Sequence, residues 1–216
     1  FLDDSLKRVS FANAANPPAP VSFTYDTSYP RVLTKTDGQG QTTYGYNPIA
    51  APPALGAGQL ASIDGPLTND VITLGYDPLG RVVSRAINGV SESVVFDTLG
   101  RLQTVTNPLG TFNYSYVGTT ERLQTLSYPN GQSTELSYHP AAQDHRLQQI
   151  LHKKPGGALL SRHAYTYEPS GNIKTWTQET DVAASKVYDF EYDRAYQLTA
   201  ATLKTTDPTP AVLKRY

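Results

Sequence analysis

Residues 74–110, LGYDPLGRVVSRAINGVSESVVFDTLGRLQTVTNPLG, state one unit twice. Tyr76-Asp77-Pro78-Leu79-Gly80-Arg81 returns twenty positions on as Phe96-Asp97-Thr98-Leu99-Gly100-Arg101. Each copy runs on into a short β-like stretch and ends on a turn signal, Asn88-Gly89 or Asn107-Pro108-Leu109-Gly110. A fixed period near 20 residues marks a repeat architecture, in which each unit buries its apolar face only against its neighbours.

The aromatic anchor recurs at Tyr25, Tyr46, Tyr76, Phe96, Tyr116, Tyr138, Tyr167 and Tyr192, with Tyr216 as a ninth, at intervals of 20 to 30 residues. Two positions before the anchors, eight of nine residues are apolar or aromatic; one position before, eight of nine are polar, charged or Gly. That alternation predicts a half-buried strand delivering each anchor to the inner face. Asp37-Gly38, Asn88-Gly89 and Asn130-Gly131 tolerate the positive φ of tight hairpin turns. After the anchor, Asp77 and Asp97 are expected to cap a corner, and Gly80, Gly100 and Gly171 to give it permissive backbone. Two strands per anchor predict about sixteen strands, all-β, in one long antiparallel sheet of hairpins. Open twisted sheets rarely exceed about ten strands without curling, so the expectation is a spiral or part of a hollow β-shell.

Composition agrees. There are 15 Tyr, 16 Gly and 16 Pro, a strand-and-turn vocabulary, and only 17% of residues are charged. A net charge of −1 gives no general attraction for nucleic acid or anionic lipid. No apolar run approaches the roughly 20 residues of a membrane-spanning helix. With no Cys, disulfides, thiolate metal sites and Cys nucleophiles are excluded. Residues 1–20 read as an irregular lead-in, residues 47–58 as a surface loop, and residues 139–149 as a loop holding one helical turn. No internal boundary is drawn, so residues 1–216 read as a single repeat region, a piece of something longer.

The segments YDPLGRVVSR, FDTLGRLQTVTNPLG, TYEPSGNIKTWT and EYDRAYQLTAAT resemble the YD repeats of the RHS family. That family includes bacterial Rhs proteins, the B and C components of insecticidal toxin complexes, and the animal teneurins. The resemblance covers about residues 23–216. It implies a β-shell that, in the bacterial toxins, holds a C-terminal toxin segment. It also implies two other known uses of such repeats, adhesion and carbohydrate binding.

Asp77-Pro78-Leu79-Gly80 has the DPxG look of the family's self-cleaving segment, but nothing marks the second carboxylate of an aspartyl pair. His139, His145, His152 and His163 match no HExxH spacing, and His163 shares a strand face with Tyr165 and Tyr167. Gly56-Ala57-Gly58-Gln59-Leu60-Ala61 is a formal GxGxxA without the preceding buried strand. Arg81, Arg101 and Arg122 are expected to pair with the repeat Asp residues or cover neighbouring rings. Trp176 is the candidate carbohydrate contact, with packing on the strand face as the competing role.

The chain therefore reads as a non-enzymatic structural segment, without cofactor or metal, of a secreted or cell-surface bacterial protein. Its partners would be the rest of its own chain and an enclosed toxin segment. The alternative is an adhesion or carbohydrate-binding module with glycans as partners. Tyr114→Ala and Phe190→Ala are expected to cost about 3–5 kcal/mol if those rings are buried.

Overall fold

The computed structural model describes residues 5–13, 15–207 and 209–216. Of the lead-in 1–20, residues 1–4 and 14 lie outside that set. The architecture is all-β: eighteen strands and one 3₁₀ turn, Ala141–Gln143, among the described residues. The chain divides into two compact units, Phe1–Val95 with Thr106–Pro108, and Phe96–Val105 with Leu109–Tyr216.

In the first unit the strands are β1 (Arg8–Val9), β2 (Val21–Tyr25), β3 (Val32–Asp37), β4 (Gly40–Tyr46), β5 (Leu60–Asp64), β6 (Ile72–Tyr76), β7 (Val82–Ile87) and β8 (Val90–Phe96, whose last residue falls in the second unit). From β1 to β8 each pairs antiparallel with the next. The β7–β8 hairpin pairs Ile87 with Val90 across Asn88 and Gly89, both at positive φ (51° and 80°), the conformation an Asn-Gly turn favours.

The second unit holds β9 (Leu102–Asn107, except its last two residues), β10 (Gly110–Tyr116, from Leu109 on), β11 (Leu123–Ser127), β12 (Ser133–Tyr138), β13 (Leu147–Lys153), β14 (Leu159–Tyr167), β15 (Ile173–Thr180), β16 (Lys186–Tyr192), β17 (Leu198–Thr205) and β18 (Val212–Arg215). From β10 to β18 it is again a sequential antiparallel meander.

Two expectations are corrected. The count is eighteen strands rather than sixteen, because a short β1 forms inside the lead-in and β18 leads to Tyr216. Burial is also shallower than the alternation suggested. β10 alternates cleanly, with Phe112, Tyr114 and Tyr116 half-buried and Asn113 and Ser115 exposed. Yet only Tyr76, Ala200, Thr134 and Thr202 are buried among the described residues, none of them below 7% exposure. Tyr114 and Phe190 are half-buried. Meander strands cover one another's edges, not their faces, so the cost of deleting either ring falls to about 1.5–3 kcal/mol.

Candidate functional site

The repeated feature is the corner that follows each anchor. The N–H of the residue after the anchor donates to the carbonyl of the residue just before the outgoing strand. The pairs are Asp26–Arg31, Asn47–Gln59, Asp77–Arg81, Asp97–Arg101, Val117–Arg122, His139–Arg146, Glu168–Asn172 and Asp193–Gln197, all at 2.8–3.0 Å. The partners stand four to twelve positions apart in sequence, but the closure does not vary.

Side chains reinforce the corner. Asp77 Oδ1 accepts from the N–H groups of Leu79 and Arg81, and its Oδ2 accepts from Arg81 Nε at 2.7 Å. Asp97 repeats this with Leu99 and Arg101, and Asp26 does so in part with Ser28 and Arg31. Burial pushes the Asp77 and Asp97 carboxyls up, but these hydrogen bonds outweigh it and hold both below the ordinary carboxylate range. The Ser28 N–H, then Arg31, lowers Asp26. Gly80, Gly100 and Gly171 occupy the position whose N–H returns to the corner carbonyl, at φ 75°, 81° and 99°. In the corner of Asp193 that place is taken by Tyr196 at φ 62°.

Seven of the eight anchors, all the tyrosines, sit at a β-bulge. Register shifts fall between Thr24 and Tyr25, Gly45 and Tyr46, Gly75 and Tyr76, Ser115 and Tyr116, Ser137 and Tyr138, Thr166 and Tyr167, and Glu191 and Tyr192. In each, the first residue of the outgoing strand faces the anchor and the second is skipped. A bulge interrupts the ladder and leaves local backbone groups short of partners. The next anchor supplies one. Tyr46 Oη–H donates to the carbonyl of Val32, which faces Tyr25 across the bulge. Tyr76 donates likewise to Leu60, Tyr138 to Leu123, Tyr167 to Leu147 and Tyr192 to Ile173, at 2.5–2.9 Å. Tyr116 donates to Leu102, the first residue of β9, and Tyr25 to Leu6. Phe96 has no hydroxyl.

The closing arginine completes the link from one repeat to the next. Arg31 lies over the Tyr46 ring at 4.4 Å and donates to the Gly58 carbonyl in that corner. Arg101 lies over Tyr116 at 4.5 Å and donates to the Gly118 and Thr120 carbonyls. Arg122 and Arg146 lie 5.6 Å over Tyr138 and Tyr167. Arg31 and Arg146 were not singled out in the sequence because their distance from the anchor varies. The signal that finds them is downstream: Arg31-Val32, Arg81-Val82, Arg101-Leu102, Arg122-Leu123 and Arg146-Leu147 all place Arg directly before the aliphatic opening a strand.

The loop 47–58 is exposed over most of its length, but its end is not idle. Gly56, at φ 68°, lies against the Tyr76 ring so closely that a Cβ would stand 2.4 Å from Cδ2. This explains why Tyr76 is the most covered anchor.

Trp176 lies in an aromatic row of the second unit. Its ring stacks between Tyr165 (6.5 Å) and Tyr188 (5.4 Å), and Tyr188 stacks on Phe190. Its indole N–H donates to His163 Nδ1 at 3.2 Å. Both faces and the polar edge of this side chain therefore have neighbours within the sheet. Beside the Tyr167 corner, His139, Gln143, Asp144, Arg146 and Glu168 line an open groove of about 480 Å³. Its arginine is already held by Asp144 and by the Glu168 carbonyl. Among the described residues, no group of three or more His, Asp or Glu is placed to hold a metal ion, and no helix is long and apolar enough to cross a membrane.

These features define a class: an antiparallel repeat sheet whose recurring geometry lies in its corners. The solved structure titled TcdB2-TccC3-TEV has a similar fold, with a TM-score of 0.59 over 94% of this chain at 13% identity. Two further solved structures, of TcdB2-TccC3-Cdc42 and TcdB2-TccC3, align over 88% of this chain at 17% and 16% identity, with TM-scores of 0.42 and 0.40. The chain spans about 13% of the length of the first of these. No family model matches the sequence, and no curated protein matches it.

Proposed function

We propose that this chain is a stretch of repeat wall in a larger bacterial protein, secreted or carried at the cell surface. The wall encloses or presents a toxin segment elsewhere in that protein. The observation that carries the reading is the corner: seven tyrosine anchors donate to backbone upstream, in six cases to the residue that opens a strand. The repeated tyrosine hydroxyls are spent on bonds to backbone upstream. Bulges recur beside seven of the anchors, and a bulge raises the local twist of its strand pair. The resemblance to YD repeats and the fold shared with TcdB2-TccC3-TEV support the same reading. Limited proteolysis of the native parent protein tests it. An enclosed segment is cut only after the sheet is denatured, whereas a segment cleaved at the same rate before and after denaturation overturns containment.

The carbohydrate reading has less support, since the faces of Trp176 are occupied by Tyr165 and Tyr188. Glycan-array binding that is lost in Trp176→Ala would restore it.

A further inference from the structure

We propose that His163, with His152 beside it, forms an acid-sensitive latch in the aromatic row of the second unit. For the Trp176 indole N–H to donate to His163 Nδ1, that nitrogen must carry a lone pair, so the imidazole is neutral with its hydrogen on Nε2. A second proton on Nδ1 would set N–H against N–H. Protonation therefore does not merely weaken this bond; it turns it into a repulsion.

The surroundings sharpen the effect. The His152 ring lies 6.1 Å from that of His163, so two imidazolium charges would repel across β13 and β14. His152 Nδ1 is 2.9 Å from Thr134 Oγ1, which is in turn 3.1 Å from the Tyr128 hydroxyl. On the same face, β13 places Ile150 opposite His163, and β14 itself contributes Ser161 and Tyr165. From β15 come Gln178 and Trp176, and from β16 come Lys186 (opposite Gln178) and Tyr188. The charged group nearest in register is thus a lysine.

Carboxylates of these strands lie on the other face and are paired: Glu135 with Lys153, Glu179 with Arg162, and Asp189 with Lys174 and Lys204. Glu191 pairs with Arg215, and Asp181, just past β15, with Lys154. Among the described residues of these strands, no carboxylate shares the face of His163. Burial, and then His152, already hold its imidazole below the ordinary value.

The sign follows. A base depressed in the folded state leaves stability fully present above the unfolded value, about pH 6.5. That stability is lost as the pH falls below 6.5, until the folded value is passed. The latch is independent of what the wall encloses.

Trp176 is the single tryptophan, so its fluorescence reports on the latch directly. In the 216-residue chain, titration from pH 8 to pH 5 should shift Trp176 emission with a midpoint below about 6.5. The unfolding equilibrium constant in urea should rise by up to about tenfold per pH unit over the same interval. His163→Gln retains an acceptor for the indole but cannot titrate, and should abolish the shift. His145→Gln, at an exposed position, should leave it intact. Emission that is flat in the wild type, or an unchanged shift in His163→Gln, overturns the proposal. Should that variant not fold, proton NMR of the wild-type imidazoles decides: one of the four must titrate below about 6.5, and four ordinary titrations overturn the latch.

Discussion

Val117→Asp should stabilise the second unit, although it places a charge where an aliphatic stands. The corner from Val117 to Arg122 has the same five-residue span as that from Asp26 to Arg31 and closes through the same backbone bond. In the Asp26 corner, Oδ2 accepts from Arg31 Nε at 2.8 Å. In the Val117 corner, Arg122 Nε is buried and lacks a hydrogen-bond partner. Supplying the carboxylate adds a charge-assisted bond worth about 1.5–3 kcal/mol. Against it stands the lost burial of a half-buried Val, about 0.5–1 kcal/mol. The net gain is about 1 kcal/mol, or about 2–4 °C in Tm for a chain of this size. Urea melts followed by Trp176 emission, in the same unit, would measure it. The gain should vanish in an Arg122→Gln background and as the pH falls below about 3.9, where the new carboxylate protonates. No gain in the wild-type background, or an equal gain with Arg122→Gln, would refute the account of the corner.

Three further outcomes follow from the same geometry. Tyr116→Phe removes the donor to the Leu102 carbonyl and keeps the ring under Arg101, so it should cost about 1 kcal/mol in urea melts; a change below about 0.3 kcal/mol counts against the hydroxyl. Tyr196→Gly should raise stability by about 0.5–1 kcal/mol, since an exposed non-Gly residue is held at φ 62° where the corners of Asp77, Asp97 and Glu168 use glycine; calorimetry showing no gain would mean the Tyr196 side chain offsets the strain. Burial raises the hydroxyl pKa of Tyr46, Tyr116, Tyr138 and Tyr167, so stability should hold up to about pH 10 and fall as the pH rises towards their folded values, tracked by tyrosinate absorbance against unfolding.

What the sequence made legible was whatever leaves a letter at a fixed offset. The ends of eight strands at the recurring aromatic positions, the Asn88-Gly89 turn and the 3₁₀ turn inside residues 139–149 are of that kind. So is the pairing of Arg81 and Arg101 with the Asp four residues earlier. The bulges were not legible, because a skipped residue such as Leu33 or Lys174 has no characteristic identity. The corner closure was hidden for the same reason: it joins backbone to backbone, so Gln59, Asn172 and Gln197 serve as well as arginine. The coupling of Trp176 to His163 crosses two strands and needs the register, which alternation alone does not fix.

The corner also explains why tyrosine is favoured over phenylalanine at the anchor. Ring packing alone would accept either. Beside the tyrosine anchors, however, the strand-opening residue that faces one anchor across its bulge offers its carbonyl to the hydroxyl of the next, at Val32, Leu60, Leu123, Leu147 and Ile173. The bend and the tyrosine are then one device: the bulge curves the strand pair, and the next anchor satisfies the bulge. The separation of the closing partners can lengthen from four positions to the twelve of Asn47 and Gln59 without disturbing this, because Tyr76 still reaches the carbonyl of Leu60, the residue after the closure. Insertions are tolerated where they leave the closing residue and the strand opener adjacent. Separating those two, for example by inserting a residue between Arg122 and Leu123, should disrupt the Tyr138 bond and the Val117 closure together, whereas the same insertion between Gly118 and Thr119 should spare both.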